Sequence, residues 1–304
     1  MKSTGYLHPA YVLSLSEFGE PLELPASKGW LLKRIIPGTS YFDGMGPYPI
    51  FSCKDWSGLE NDLESISNQL VSVSLVTDPF GDYTQQDLQG WFKDIAKPYK
   101  NHFVVDLHKK PEEFVSKHHQ RNARHALNNI ETEMVDEPAQ ILDDWTSLYE
   151  ILIERHQIKG IARFSRTAFS AQLAVPGIVA VRAVFQGQVV GMLLWYVQGN
   201  IAYYHLGAYT PEGYQRKASF ALFWKCMEYF SEGGVKWLNL GSGAGTQGKD
   251  DGLTRFKKGW ATGIRTVYFC GRIFDRQKYN TLLAKRKVKT STEYFPAYRA
   301  GEHT

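Results

Sequence analysis

Cysteine is scarce in this chain: Cys53, Cys226 and Cys270 are odd in number and widely spaced. Neither a disulfide framework nor a metal-ligand spacing can be built from them, so they read as reduced, buried thiols. Long apolar runs are missing as well. The longest, Val189 to Val197, falls far short of a bilayer's width. The opening MKSTGYLHPAYVLSL holds no unbroken apolar segment of the signal-peptide kind, which predicts a cytoplasmic protein. No charge sign dominates: 35 Lys and Arg against 31 Asp and Glu leave +4, too small a bias to argue for nucleic acid. With 43% hydrophobic and 22% charged residues over 304 positions, the chain is globular and long enough for two domains.

Against that background the run from Val235 to Trp260, VKWLNLGSGAGTQGKDDGLTRFKKGW, stands out. A strand-like WLNL opens into a glycine-rich loop that closes on Arg255, Phe256, Lys257, Lys258, Gly259 and Trp260. Glycines let backbone approach a ligand closely, and the cations suit a phosphate or a developing oxyanion. From Gly243 to Asp250 the spacing comes within one residue of a P-loop. Asp250, however, stands where a hydroxyl must hold Mg²⁺, and too little chain follows for the rest of that domain. The nucleoside-triphosphatase reading is therefore set aside.

Periodicity gives two similar successions. The first half predicts strands at Tyr11 to Leu15 and Trp30 to Ile36, then a helix from Leu59 to Leu70 and a strand from Val71 to Val76. A helix from Gln85 to Ala96, a strand from His102 to Leu107 and one basic helix from Pro111 to Asn128 follow. Pro37 to Phe51, rich in Gly, Pro and Tyr, reads as an ordered aromatic loop or flap. In the second half, helices Ala139 to His156 and Thr167 to Leu173 precede strands Ile178 to Phe185, Val189 to Val197 and Ile201 to Leu206. Gly187-Gln188 and Gly199-Asn200 mark the turns of that meander. A buried helix from Tyr214 to Ser231 stops at Gly233-Gly234, before strands Val235 to Leu240 and Thr266 to Gly271 and a closing helix from Phe274. The fold class is α+β, with helices layered on a mixed, mostly antiparallel sheet.

This order, taken with RNARHALNNIETEM, YYHLGAYTPEGYQRKASFALFWKCMEYFSEGG, VKWLNLG and GLTRFKKGWATG, resembles the GCN5-related N-acetyltransferase (GNAT) superfamily. Specifically it is similar to the FemAB-like branch, in which two such domains share one chain. The resemblance is good from about Arg121 to Gly263, loose before that and absent in the tail. It implies a degenerate GNAT-like domain over 1–130, a GNAT-like acyltransferase domain over 131–275 and a basic helix and tail over 276–304. Phe256 and Lys257 fall where the family places a Phe-Lys pair beside the transferred acyl group. The donor tract corresponds to Arg216, Lys217, Ala218, Ser219, Phe220 and Ala221, where Ser219 replaces a glycine and Phe220 is bulky. An acyl-CoA or aminoacyl-tRNA donor, as co-substrate and not as a tightly bound cofactor, is what the resemblance implies; neither a metal nor a redox group is indicated.

Acyl transfer to an amine needs a base, alignment and oxyanion stabilisation. His205, at the end of the meander's third strand, is either that base or a satisfied core histidine. Asp251, beside Asp250, is the second candidate base. Tyr41 and Asp43 in the aromatic loop, with Tyr204 and Arg255, are the expected contacts to an amine acceptor: a small molecule, a sugar or a peptide, of the cell-envelope kind by resemblance. Alternatives are aminoacyl transfer from tRNA to a peptidoglycan precursor, and a non-catalytic module binding a peptide or polysaccharide end. The basic clusters Lys117, Arg121, Arg124 and His125, and Arg276, Lys278, Lys285, Arg286, Lys287 and Lys289, read first as solvated helix faces. Their other reading is contact with a polyanion, either tRNA, a nucleotide-linked substrate or headgroups at the inner membrane face.

Overall fold

The computed structural model describes residues 3–243, 251–286 and 294–302. In chain order the elements are α1 (Pro9–Leu13), β1 (Glu20–Leu24), β2 (Gly29–Ile35), β3 (Phe42–Met45), α2 (Leu59–Ser65), β4 (Ser72–Val76), α3 (Gln85–Trp91) and β5 (Ile95–Asp106). Then come α4 (Pro111–Phe114), α5 (Lys117–Leu127), β6 (Glu131–Val135), α6 (Leu142–His156), α7 (Arg166–Leu173), β7 (Ile178–Phe185), β8 (Gln188–Gln198) and β9 (Ile201–Tyr209). The remainder is α8 (Pro211–Gln215), α9 (Ala218–Glu232), β10 (Trp237–Gly241), α10 (Gly252–Lys258), β11 (Gly263–Ile273) and α11 (Arg276–Arg286).

Two compact units divide the chain. The C-terminal unit is Met1–His8, Asn101–Ile158 and Phe164–Arg265; the N-terminal unit is Pro9–Lys100, Lys159–Arg163 and Thr266–Thr304. These bounds differ from breaks at 130 and 275, because the chain changes unit inside two long strands, β5 and β11.

In the N-terminal unit the strand order is β1-β2-β3-β4-β11, antiparallel except for the parallel pair β3 and β4. Here α1 replaces the strand expected at Tyr11 to Leu15. A run of five apolar and small residues cannot by itself distinguish a helical turn from a strand. β3 crosses the aromatic stretch that reads as a loop.

In the C-terminal unit the order is β5-β10-β9-β8-β7-β6. The meander β7-β8-β9 turns through Gln186 (φ 51°) and Gly187 (φ 74°), a two-residue turn with both φ values positive, then through Gly199 (φ 61°). The centre of β8 from Met192 to Tyr196 is fully buried, which is why it reads as a continuous apolar run and not as an alternation. On one face lies α9, burying Ala218, Ala221, Leu222, Phe223, Cys226, Met227 and Phe230 against Trp195, Ala202, Leu238 and Leu240. Each large side chain in that stripe contributes roughly 1.5–3 kcal/mol. The opposite face receives α6 and α7, with Trp145, Tyr149, Phe164 and Phe169 in mutual ring contact. Residues 5–7 complete this face. Gly5 N–H donates to the Pro176 carbonyl (2.8 Å), Leu7 N–H to Gln198 Oε1 (3.2 Å), and Tyr6 Oη bonds His205 Nδ1 (3.0 Å).

All three cysteines are unpaired and buried. Burial pushes the Cys270 thiol up to about 12 and raises Cys53 and Cys226 as well, so each stays protonated at neutral pH.

Candidate functional site

The site begins where two parallel strands part. β9 and β10 pair at Ile201–Trp237, Ala202–Leu238 and Tyr203–Asn239, and then stop, although β9 runs on to Tyr209. The cause is local. Asn239 Oδ1 accepts the N–H of Gly241 two residues on (2.9 Å), and Gly241 takes φ +72°, the left-handed region that favours glycine. The resulting bulge between Asn239 and Gly241 keeps β10 on β5, with Gly241 opposite Phe103, while β9 diverges.

Lys257 reaches this parting from α10. Asp251 caps that helix, accepting from Thr254 N–H (2.8 Å) and Thr254 Oγ1 (3.1 Å). The Lys257 side chain is 5% exposed, and its Nζ donates to the Ser242 carbonyl at 2.7 Å. It lies 5.3 Å from the centre of the Tyr204 ring and 3.3 Å from where a Cβ on Gly241 would stand. An ammonium at a strand end in a low-dielectric setting is suited to a developing oxyanion or a phosphate. Burial raises the Tyr204 phenol, which therefore stays neutral; its ring faces the ammonium while its hydroxyl packs over Gly207.

The donor tract lies at the entry to α9. The helix expected from Tyr214 onward is two helices: Thr210 caps α8, and Lys217, at φ 61° and ψ 36°, breaks the chain before α9 starts. Arg216 Nε pairs with Glu212 (2.5 Å), and its guanidinium lies 3.4 Å from the Phe185 ring centre. Lys217 Nζ donates to Asn122 Oδ1 of α5 (2.9 Å), and Asn122 Nδ2 contacts His118 Nε2 (2.9 Å). Both cations of the tract are thus drawn to protein partners. Ala218 is buried, while Ser219 and Phe220 are half-buried in the first turn, where the helix presents its positive end.

An aromatic cluster joins this entry to Lys257. Phe256 lies 5.1 Å from Phe220 and 4.9 Å from Phe223, and Phe223 stacks on Trp260 at 5.7 Å. His119 of α5 sits among them, 6% exposed, 5.0 Å from Phe220 and 4.9 Å from Trp260. Its Nε2 donates to the Phe256 carbonyl (2.9 Å), and Nδ1 bonds Ser116 Oγ (2.8 Å). Burial lowers its pKa, so the neutral ring is favoured. Gly259 makes this approach possible, since a Cβ there would stand 2.2 Å from His119 Cε1. Sequence reasoning missed His119, because nothing in KHHQRNARHA marks the one histidine that turns inward.

Other expected site residues lie elsewhere. His205 is in the middle of β9, not at its end, and alternation puts it on the opposite face from Tyr204. It packs on Tyr6, Tyr196 and Phe164, and its Nε2 bonds Gln172 Oε1 at 3.1 Å. Burial alone lowers its pKa to about 3. Both ring nitrogens are engaged inside the core, which corrects its placing beside the α9 entry.

Asp43 is fully buried in the N-terminal unit, where Arg34, Arg299 and the Tyr298 hydroxyl take its carboxylate. A carboxylate with that set of partners is a packing element and not an acceptor contact. Tyr41 is exposed in the same unit, with Lys278 Nζ 5.2 Å from its ring centre. Arg255 is exposed on α10, and Lys117, Arg121, Arg124 and His125 form an exposed stripe on α5. Most of the near-P-loop, Asp250 included, together with Lys287 and Lys289, lies outside the described residues.

A meander, a buried helix on one face and a parallel pair that parts at its end define a GNAT fold. Residues 116–258 match the family described as acetyltransferase (GNAT) domain, and no curated protein matches the sequence. Among solved structures, FemX superposes with a TM-score of 0.62 at 13% identity, covering 83% of this chain and 86% of its own. The C-terminal domain of a putative lysylphosphatidylglycerol synthetase from Agrobacterium fabrum gives 0.63 at 13%, covering 93% and 94%. L-PGS from Bacillus licheniformis gives 0.56 at 12%, covering 94% and 98%. At such identities these likenesses speak for the fold, which is FemAB-like GNAT. The family match points to an acyltransferase domain over residues 116–258. No helix among the described residues is long and apolar enough to cross a membrane.

Proposed function

We propose that the C-terminal unit transfers an acyl group from acyl-CoA or an aminoacyl donor to an amine of a sugar, peptide or cell-envelope precursor. One observation carries this reading: the buried ammonium of Lys257 lies in the parting of β9 and β10, joined by one aromatic cluster to the entry of α9. Donor phosphate would meet the positive end of α9, and the acyl carbonyl would enter the parting. The Lys257 ammonium would then receive the charge that develops on oxygen.

The donor is the open half of the assignment. Ser219, standing where a glycine would let a pyrophosphate approach closely, and the bulky Phe220 after it favour an aminoacyl-tRNA over acetyl-CoA. Radiolabelled acetyl-CoA and radiolabelled aminoacyl-tRNA, each offered with hexosamines, lysyl peptides and a peptidoglycan precursor, separate the two. Transfer from either donor that Lys257→Ala abolishes supports the reading. Calorimetric uptake of an acceptor without turnover of any donor would replace it by a binding module.

A further inference from the structure

The two cations at the α9 entry are taken up by the protein, Arg216 by Glu212 and Lys217 by Asn122, so the further phosphates of a long donor must be held from outside that turn. We propose that the exposed face of α5 holds them: it grips the backbone of an RNA duplex, the stem of a charged tRNA, without reading its bases. The inference rests on the aminoacyl form of the acyl-transfer reading.

Lys117, His118, Arg121, Arg124 and His125 share this face, and α5 carries no acidic residue. Among the described residues no carboxylate comes within ion-pair distance of Lys117, Arg121 or Arg124. Arg121 Nη2 has His118 Nδ1 at 3.5 Å and Arg124 Nη2 has Gln120 Oε1 at 3.4 Å, long contacts that leave both guanidinium charges unbalanced. Elsewhere the arginines are balanced: Arg34 and Arg299 by Asp43, Arg166 by Asp143, Arg182 by Glu133 and Arg272 by Glu64. Like charges three and four residues apart work against a helix, and an anion laid along the face removes that repulsion.

The second basic segment is different. On α11, Arg276 pairs with Asp94 (2.6 Å) and Lys278 with Asp275 (2.9 Å), while Lys285 and Arg286 donate to the carbonyls of Gly38 and Pro37. Those cations hold the N-terminal unit together, whereas the α5 stripe faces outward.

Position and shape select the occupant. α5 packs Ala123 and Ala126 into the core shared with α9, Asn122 receives Lys217, and the His118 ring stands 6.3 Å from Phe220. The stripe therefore borders the helix entry where the acyl donor would arrive. From Lys117 to His125 it runs about 12 Å, long enough to meet several phosphates of a duplex. One side of α5 is buried, so the helix cannot sink into a groove, and A-form RNA hides its base edges in a deep, narrow one. The contacts are then to phosphate and 2′-hydroxyl oxygens. A lipid surface fits less well, because the apolar side of α5 is committed to the core and no apolar residue is exposed on it to enter the headgroup layer.

The test compares wild type with Arg121→Gln/Arg124→Gln, with Arg121→Lys/Arg124→Lys, and with Arg276→Gln/Lys278→Gln as a control; thermal melts establish that each folds. Filter binding follows deacylated tRNA and two RNA duplexes of unrelated sequence at about 50 to 200 mM KCl. Wild type should bind the two duplexes within about threefold of each other, less tightly as salt rises. The glutamine pair should weaken tRNA binding about tenfold or more at the lowest salt and reduce the slope of log affinity against log salt by about two. The lysine pair and the α11 control should stay within about threefold of wild type. In turnover the glutamine pair should raise the KM for charged tRNA and leave kcat within about twofold. Unchanged tRNA binding by the folded glutamine pair overturns the assignment. Binding to phosphatidylglycerol vesicles with none to RNA overturns it too and makes the face a membrane contact. A wild type that transfers from charged tRNA, with the glutamine pair equal to it in KM, removes α5 alone. A wild type that transfers only from acetyl-CoA and retains no RNA removes the aminoacyl reading and this inference together.

Discussion

Replacing Lys257 by methionine separates what its ammonium does for the fold from what it does for the reaction. The side chain is almost fully buried, and its ammonium donates to a backbone carbonyl, that of Ser242. Losing a hydrogen bond to a charged group costs about 1.5–3 kcal/mol. Removing the buried charge returns a desolvation penalty of several kcal/mol. Methionine matches the length and fills the same space beside Tyr204, so no cavity adds to the cost. The two effects nearly cancel, and Lys257→Met should unfold in urea within about 1–2 kcal/mol of wild type, or later. Turnover should behave otherwise: deleting one oxyanion donor lowers kcat about 10²- to 10³-fold. Urea midpoints and initial rates on the same preparations test both halves. A variant that loses more than about 3 kcal/mol yet keeps its kcat within about twofold would make Lys257 a structural cation and refute the reasoning.

Asp43→Asn should destabilise by about 3–5 kcal/mol, because it removes the buried charge that Arg299 and Arg34 share, while the rate per folded molecule stays unchanged; denaturation curves with active-fraction correction decide this. His205 binds its proton far more weakly folded, at about 3, than unfolded, near 6.5. Its contribution to stability is therefore complete above about pH 6.5 and is lost progressively as pH falls toward 3, in total on the order of 5 kcal/mol. Wild type and His205→Gln should accordingly differ in the slope of stability against pH within that window. Gly259→Ala should drive the His119 ring off the Phe256 carbonyl and cost about 1–3 kcal/mol, read as a lowered melting temperature with a reduced kcat.

The meander and its turns were legible because Gly187 and Gly199 punctuate apolar runs of strand length. The buried helix was legible in extent but not in its break. Lys217 adopts a left-handed conformation without being glycine or asparagine, held by a bond to Asn122 that lies 95 positions away in sequence. The split of the Pro111 helix was hidden for a similar reason. Ser116 caps α5 through His119 N–H and its own N–H bonds the Gly259 carbonyl, a partner that only the fold supplies. In the site, Lys257 carried a local signal, a cation in a glycine-rich and aromatic run. His119 and Asn239 carried none, because each takes its role from contacts that only the fold supplies. Asp43 misled in the opposite way: a carboxylate in an aromatic loop looks exposed until two arginines close over it.

The seating of Tyr6 against His205 has a consequence for how the molecule is made and cut. The phenol leaves the ribosome 199 residues ahead of the imidazole that receives it, so this corner stays unsealed through most of synthesis. Anyone excising the C-terminal unit must graft residues 1–8 back onto it, or lose the ring that covers Tyr196 and Tyr203.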